Sequence, residues 1–169
     1  GYGLGNSASI ENGFVYHGHG GAIDGFVAAY GYLPESDRGF VVMLNSQDGD
    51  TQGQILDLIR SYQTRSLTPP EPPSVSDVPA DTLAQPTGYS VSFTPRNEIV
   101  HFVGRLLGIV HVDTTAQGLS VDPALGPADT LLPVDAQRFR GSSDPVATAV
   151  FAQNQNGRRV LSGNGDIVN

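Results

Sequence analysis

The chain has 169 residues, 38% of them hydrophobic, a formal net charge of −8 and no cysteine. This is enough material for one ordinary domain or two small ones, and it excludes a disordered or fibrous chain. The diffuse acidic charge argues against nucleic acid or an anionic membrane as partner, the lack of cysteine excludes disulfides and thiolate metal sites, and no stretch is apolar enough over its length to span a membrane.

Residues 1–46 read as strands joined by turns. Tyr2 to Ile10 forms an extended segment, Asn12-Gly13 supplies a hairpin turn, and Phe14 to His19 is the second strand. Phe26 to Leu33 is the third, Pro34 to Asp37 a turn, and Gly39 to Asn45 the fourth. Within it Val41, Val42, Met43 and Leu44 form a continuous apolar run, the mark of a strand covered on both faces. Asp48, Gly49 and Asp50 offer caps for a helix from about Thr51 to Arg65, with Ile55, Leu56, Leu58, Ile59 and Tyr62 on its apolar stripe.

The most informative stretch is Tyr16-His17-Gly18-His19-Gly20-Gly21-Ala22-Ile23-Asp24-Gly25-Phe26. Glycines inside a strand forfeit packing and backbone entropy, so Gly18, Gly20, Gly21 and Gly25 among β-formers point to a backbone that something else approaches closely. Side chains alternate along a strand, which puts His17 and His19 on one face and Gly18 and Gly20 on the other. From the residues alone, a glycine-rich hairpin with solvated histidines is the competing interpretation.

From Ser66 to Pro86 the chain is rich in Pro, Ser, Thr and Asp, a composition that favours extended polyproline II and marks a linker over 67–86. Residues 87–169 return to short β segments: Gly88 to Phe93, Gly108 to Thr115, Gly118 to Asp122, Thr130 to Val134, Arg138 to Arg140, Ala147 to Gln153 and Arg158 to Ser162. A short helix can start at Pro95 and run through Leu107, and the strand spacing suggests a small antiparallel barrel or curled sheet. The fold expected is therefore α+β and β-rich: an antiparallel sheet with a carboxy-terminal amphipathic helix over residues 1–66, then a small barrel-like domain over 87–169.

Tyr2-Gly3-Leu4-Gly5, Gly18-His19-Gly20-Gly21 with Asp24-Gly25-Phe26, and Gly39-Phe40-Val41-Val42-Met43-Leu44-Asn45, in that order, resemble the last third of the catalytic domain of serine β-lactamase-like proteins. That group holds class C β-lactamases, DD-peptidases (penicillin-binding proteins) and related esterases. Its active site combines a Ser-x-x-Lys, a Tyr-x-Asn or Ser-x-Asn, and a Lys/His-Thr/Ser/Gly-Gly triplet on a strand facing the serine. His19-Gly20-Gly21 is similar to the third. The resemblance implies that His19 places the polar or anionic end of a small-molecule or peptide substrate, that Gly20 and Gly21 lie against that substrate, and that the backbone N–H of Ala22 is one oxyanion donor. Gly20 departs from the commoner Thr or Ser and removes a hydroxyl that would bond a substrate carboxylate, which weakens the expectation of a β-lactam or D-Ala-D-Ala substrate.

All nine basic residues are arginines, so Ser-x-x-Lys cannot occur; no Tyr-x-Asn or Ser-x-Asn is expected to complete the site, and no Gly-x-Ser-x-Gly elbow is present. The resemblance therefore implies a piece of a longer enzyme that is silent alone, with no cofactor, in a periplasmic or extracellular setting. The β segment resembles the lipocalin-like domains appended to many such hydrolases. A non-enzymatic barrel that binds a small apolar ligand or drives oligomerisation is the alternative. Uncovered, the apolar residues Val41 to Leu44 and Ile55 to Ile59 would favour self-association.

The remaining candidates carry weaker signals. His17, His19 and Asp24 could approach a metal but fall short of four ligands, with His101 and His111 beyond the linker, so no metal site is assigned. His17 reads as a solvated rim residue, His101 and His111 as structural, and Asp113 beside His111 has no nucleophile to serve. Arg138, Arg140, Arg158 and Arg159 read as solvated faces.

Overall fold

The computed structural model describes residues 2–3, 5–92, 108–153, 157, 159–163 and 167–168. It separates into two compact units, Gly1–Glu71 and Pro72–Asn169, and it is α+β and β-rich as the sequence predicts.

The first unit is a five-stranded antiparallel meander: β1 (Tyr2–Gly3), β2 (Asn6–Glu11), β3 (Phe14–Ile23), β4 (Phe26–Leu33) and β5 (Arg38–Leu44), followed by helix α1 (Gly49–Thr64). The β2–β3 turn is the expected Asn-Gly one, with φ of 53° at Asn12 and 81° at Gly13, the pair of left-handed residues that a type I′ hairpin requires. The expected single segment from Tyr2 to Ile10 is instead broken near Gly5, at φ 74°, so that β1 folds back to pair Tyr2 with Ser7. A second difference matters more. β3 does not end at His19 but runs on to Ile23, with Gly20, Gly21, Ala22 and Ile23 opposite Ala29, Ala28, Val27 and Phe26. Glycine lacks a side chain to pack, yet the ladder needs only its backbone, and the chain reverses at Asp24-Gly25, where Gly25 takes φ 83°.

Asp48 caps α1, accepting from the Thr51 N–H at 3.0 Å and the Thr51 hydroxyl at 2.6 Å; these two bonds hold its carboxyl below the ordinary aspartate range. The helix covers one face of the sheet with a partly polar stripe. Tyr16 donates to Gln63 Oε1 at 3.2 Å, the Arg60 guanidinium lies 5.8 Å from the Tyr16 ring centroid, and Arg38 donates to the Gln63 carbonyl. Leu58 and Tyr62, expected on the packing stripe, point to solvent, because Gln52, Arg60 and Gln63 occupy the sheet-facing turns instead. The β5 run is likewise not covered on both faces: Val42 is 8% exposed, whereas Val41 and Met43 are 65% and 76% exposed.

The second unit is a closed eight-stranded barrel. Strands β6 (Gly88–Ser92), β7 (Ile109–Thr115), β8 (Gly118–Pro123), β9 (Asp129–Pro133), β10 (Arg138–Arg140), β11 (Ala149–Gln153), β12 (Arg159–Ser162) and β13 (Ile167–Val168) each pair antiparallel with the next, and β13 closes onto β6. This is up-and-down connectivity, which removes sheet edges by closure. β13 has no counterpart in the sequence reading, and the expected helix through Leu107, with His101, lies outside the described residues, as does Arg158. Inward-facing Val110, Val112, Leu119, Leu131, Phe139, Ala149 and Leu161 fill the interior, where Phe139 meets Phe151 edge-on at 5.3 Å.

The proline-rich stretch is in part a strap on this barrel. The Ser76 N–H and hydroxyl donate to the carbonyls of Pro133 and Val134, and Arg140 donates to those of Pro73, Gly141 and Ser142. Arg140, expected on a solvated face, is therefore buried beneath main chain. A short helix, α2 (Ala80–Leu83), follows Pro79, and Leu83 packs on the barrel core. Proline excludes helix from most of 67–86, but immediately before a helix its fixed φ starts the turn.

Candidate functional site

The strand register determines what surrounds His19. His17 lies opposite Tyr32, and His19 opposite Tyr30, so both histidines and both tyrosines share the sheet face that α1 does not cover. The His17 and Tyr32 rings stack at 5.7 Å with 29° between their planes. Asn6 on β2 donates from Nδ2 to the Tyr32 hydroxyl at 2.8 Å, so a side-chain bond spans β3 and fixes the phenol beside the histidines. His17 is thus one half of a cross-strand ring pair, only partly exposed, and His19 is exposed.

Continuing past His19, the same face carries Gly21 and Ala28 as adjacent small residues, then Ile23 and Phe26, with Val41 and Met43 on β5. Ile23, Phe26, Tyr30, Tyr32, Val41 and Met43 are all exposed large side chains, and all lie on this face.

The glycines of the stretch have different physical reasons. At Gly18 a Cβ would stand 2.1 Å from the Tyr30 carbonyl oxygen, and at Gly31 one would stand 2.6 Å from the Phe40 ring. At Gly21 a Cβ would meet nothing within 4 Å, and at Gly20 only the Ala28 carbonyl at 3.6 Å. The packing of the chain therefore accounts for Gly18 and Gly31 and leaves Gly20 and Gly21 without a steric cause.

Backbone direction follows from the same register. In an antiparallel pair, alternate residues send N–H and C=O to opposite sides. The two-residue Asn12-Gly13 turn makes Glu11 and Phe14 a hydrogen-bonded pair, so the even-numbered residues of β3 face β2. The last β2 partner in the register is Ser7, opposite Gly18, while β3 continues for five more residues. The N–H groups of Gly20 and Ala22 are therefore directed to the outer edge of β3, beyond the β2–β3 pairing of the described residues.

A cavity of about 220 Å³ is lined by Tyr16, His17, His19, Gly20 and Tyr30 of the sheet and by Arg60 of α1, among others. Arg60 is ion-paired there with Glu11 at 3.5 Å, and burial pushes the Tyr16 phenol above the ordinary tyrosine value. Among the described residues, no group of three or more His, Cys, Asp or Glu side chains could hold a metal ion, and no helix is long and apolar enough to cross a membrane. His111 pairs with the Tyr89 ring at 4.6 Å on the second unit. Contrary to the expectation that the chain lacks a Ser-x-Asn, Ser162-Gly163-Asn164 has that pattern; Ser162 ends β12 of the barrel, in the second unit, and Asn164 lies outside the described residues.

The structure brings His19, Gly20, Gly21 and Ala22 together on β3, the last three beyond the strand end that the sequence predicts at His19. Sequence reasoning misses Asn6, Tyr30 and Tyr32, which a register counted outward from the two hairpin turns would have found.

No protein-family profile matches the chain, and no curated protein is measurably similar to it. Among solved structures, an octameric penicillin-binding protein homologue from Pyrococcus abyssi aligns with all of the chain at 17% identity and a TM-score of 0.37. The chain spans 37% of the length of that protein.

Proposed function

We propose that this chain is the carboxy-terminal part of a serine β-lactamase-like hydrolase, of peptidase, esterase or β-lactamase type. Residues 1–66 form the segment of the catalytic domain that faces the nucleophile, 67–86 the connection, and 87–169 an appended lipocalin-like β domain that shapes access or assembly. The observation that supports this best is the course of β3: His19 stands on an accessible face while the Ala22 N–H is directed to the open edge of the same strand. A serine outside this chain adds through its oxygen to the substrate carbonyl, and its proton leaves with the departing group. Water then cleaves the acyl-serine ester, releasing the acid and restoring the hydroxyl.

In this reading His19 binds the polar end of a small-molecule or peptide substrate, Gly20 and Gly21 leave the backbone open to it, and the Ala22 N–H stabilises the oxyanion. No cofactor takes part. Self-association and a periplasmic or extracellular location belong to the same proposal. The test is intact-mass analysis after reaction with a fluorophosphonate, on the chain alone and on the chain joined to its upstream coding sequence. One adduct on the longer form only, diminished by His19→Ala, is the expected result. Labelling of the 169-residue chain itself, or of neither form, overturns the proposal.

A further inference from the structure

The second unit closes on itself and its interior is filled by side chains, but one end of it holds a recess. There β10 starts where β11 ends, with Arg138 opposite Val150, and α2 lies over the rim, leaving a cavity of about 220 Å³. Its floor is apolar: Phe139, 1% exposed, meets Phe151 edge-on at 5.3 Å, and Pro86 in the same lining is buried. Its rim is made of amides: Gln85 after α2, Gln137 before β10 and Gln153 at the end of β11, all three exposed. Strand alternation places the last two, since Gln137 and Gln153 stand two residues from Phe139 and Phe151 and continue their inward rows past the packed core. The Gln137 carbonyl accepts the Phe151 N–H at 2.8 Å, which holds the two rows together. The three side-chain carboxamides make no hydrogen bond to another described residue, and among the described residues no charged side chain lines the cavity.

We infer that this recess binds a small neutral amide carrying an apolar ring, held between α2 and the barrel rim. A carboxamide offers donors on its nitrogen and an acceptor oxygen. An amide ligand presents the same pair and satisfies both, whereas a carboxylate uses only the donors and an ammonium only the acceptors, leaving part of each rim group unmet. Over a floor of two phenyl rings a charge also loses water without gaining a counter-charge, a cost that a neutral amide escapes. The ring of the ligand packs on that floor. The cavity falls below the roughly 300–1,000 Å³ of drug-sized sites, which limits the ligand to a single ring and its substituent. Because Thr82 and Gln85 come from the segment that joins the strap to β6, the ligand also ties that segment to the barrel. The inference concerns the second unit alone and stands apart from the hydrolase reading.

Benzamide, benzoate and benzylammonium share a ring and differ in the polar group, so they separate amide recognition from simple apolar contact. The ¹⁵N-labelled 169-residue chain is titrated with each, and the side-chain NH₂ signals of Gln85, Gln137 and Gln153 are followed with the Ala152 amide. Saturable shifts of these signals are expected with benzamide, at an affinity at least about tenfold above that for either ion. Gln137→Glu leaves the shape of the rim and replaces its donors by a negative charge; benzamide binding should fall at least about fivefold while benzylammonium binding rises. Gln153→Leu should weaken benzamide without any gain for benzylammonium. Thermolysin cleavage between Thr82 and Leu83 should slow several-fold in saturating benzamide, relative to cuts in the first unit of the same chain. Equal affinity for the three probes, no saturable response, an unchanged preference in Gln137→Glu, or no protection of the Thr82–Leu83 bond overturns the inference.

Discussion

Gly18 and Gly21 sit three residues apart on one strand and should respond to the same substitution in opposite directions. An alanine Cβ at position 18 would stand 2.1 Å from the Tyr30 carbonyl oxygen and 3.0 Å from Gly31 Cα. Both are main-chain atoms of the paired strand, so no side-chain rotation relieves the clash. Restoring ordinary contact requires β3 and β4 to part locally by about 1 Å, which takes an N–H···O bond out of useful range. Overpacking of this kind costs about 1–3 kcal/mol, and one or two weakened ladder bonds add about 1 kcal/mol each. The smaller conformational freedom of alanine in the unfolded chain returns about 0.4–1 kcal/mol, leaving a net loss of about 1–4.5 kcal/mol. At Gly21 only that return applies, so Gly21→Ala is neutral to stabilising. The return is common to both variants, so they should differ by about 2–5 kcal/mol, roughly thirtyfold or more in the folding equilibrium at about 1.4 kcal/mol per factor of ten. Urea unfolding followed by tyrosine fluorescence reads the difference, because Tyr2, Tyr16, Tyr30, Tyr32 and Tyr62 all lie in the first 71 residues. A Gly18→Ala chain as stable as the parent, or a Gly21→Ala chain equally weakened, refutes the distinction between the two glycines.

Three further outcomes follow from packing and charge. Phe139→Ala removes a side chain that is 1% exposed at the centre of the barrel and should cost about 3–5 kcal/mol; calorimetry should show a lower barrel transition with the first unit unaffected. Arg140→Gln withdraws donors from the Pro73, Gly141 and Ser142 carbonyls, so limited proteolysis within residues 72–79 should accelerate several-fold, and an unchanged digestion pattern would show that the strap is held by other contacts. Burial raises the Tyr16 phenol above its unfolded value, so its contribution is complete below about pH 10 and lost as pH rises through the folded value. Tyr16→Phe should flatten the alkaline limb of the urea midpoint measured from about pH 8 to 11; an unaltered limb would place the alkaline sensitivity elsewhere.

Local chemistry was legible in the sequence and cross-strand chemistry was not. Asn12-Gly13 announced its turn because two adjacent left-handed residues are cheap only for such pairs. Asp48 announced its helix because its carboxylate can reach the Thr51 N–H. Tyr30 and Tyr32 carried no signal of their own, since what places them beside His19 and His17 is a register set by both turns together. Ending β3 at His19 followed from treating glycine as a strand breaker, although pairing uses groups that glycine keeps.

The β5 error has a different origin and the larger consequence. A run such as Val41-Val42-Met43-Leu44 reports how much burial a strand can accept, whereas burial itself depends on what lies above each face. Here α1 covers the face of Val42, and the face of Val41 and Met43 remains open. A wrong expectation of burial therefore marks a surface suited to contact. That surface also holds Gly21, the glycine without a steric cause, and borders the edge where β2 stops pairing with β3. Apolar excess, surplus glycine and unpaired ladder arise from independent features of the sequence. Their meeting on one face and edge of the first sheet marks that patch as suited to contact, and the cavity bordered by Arg60 of α1, lined by His19 and Gly20 among others, adjoins the same stretch of β3.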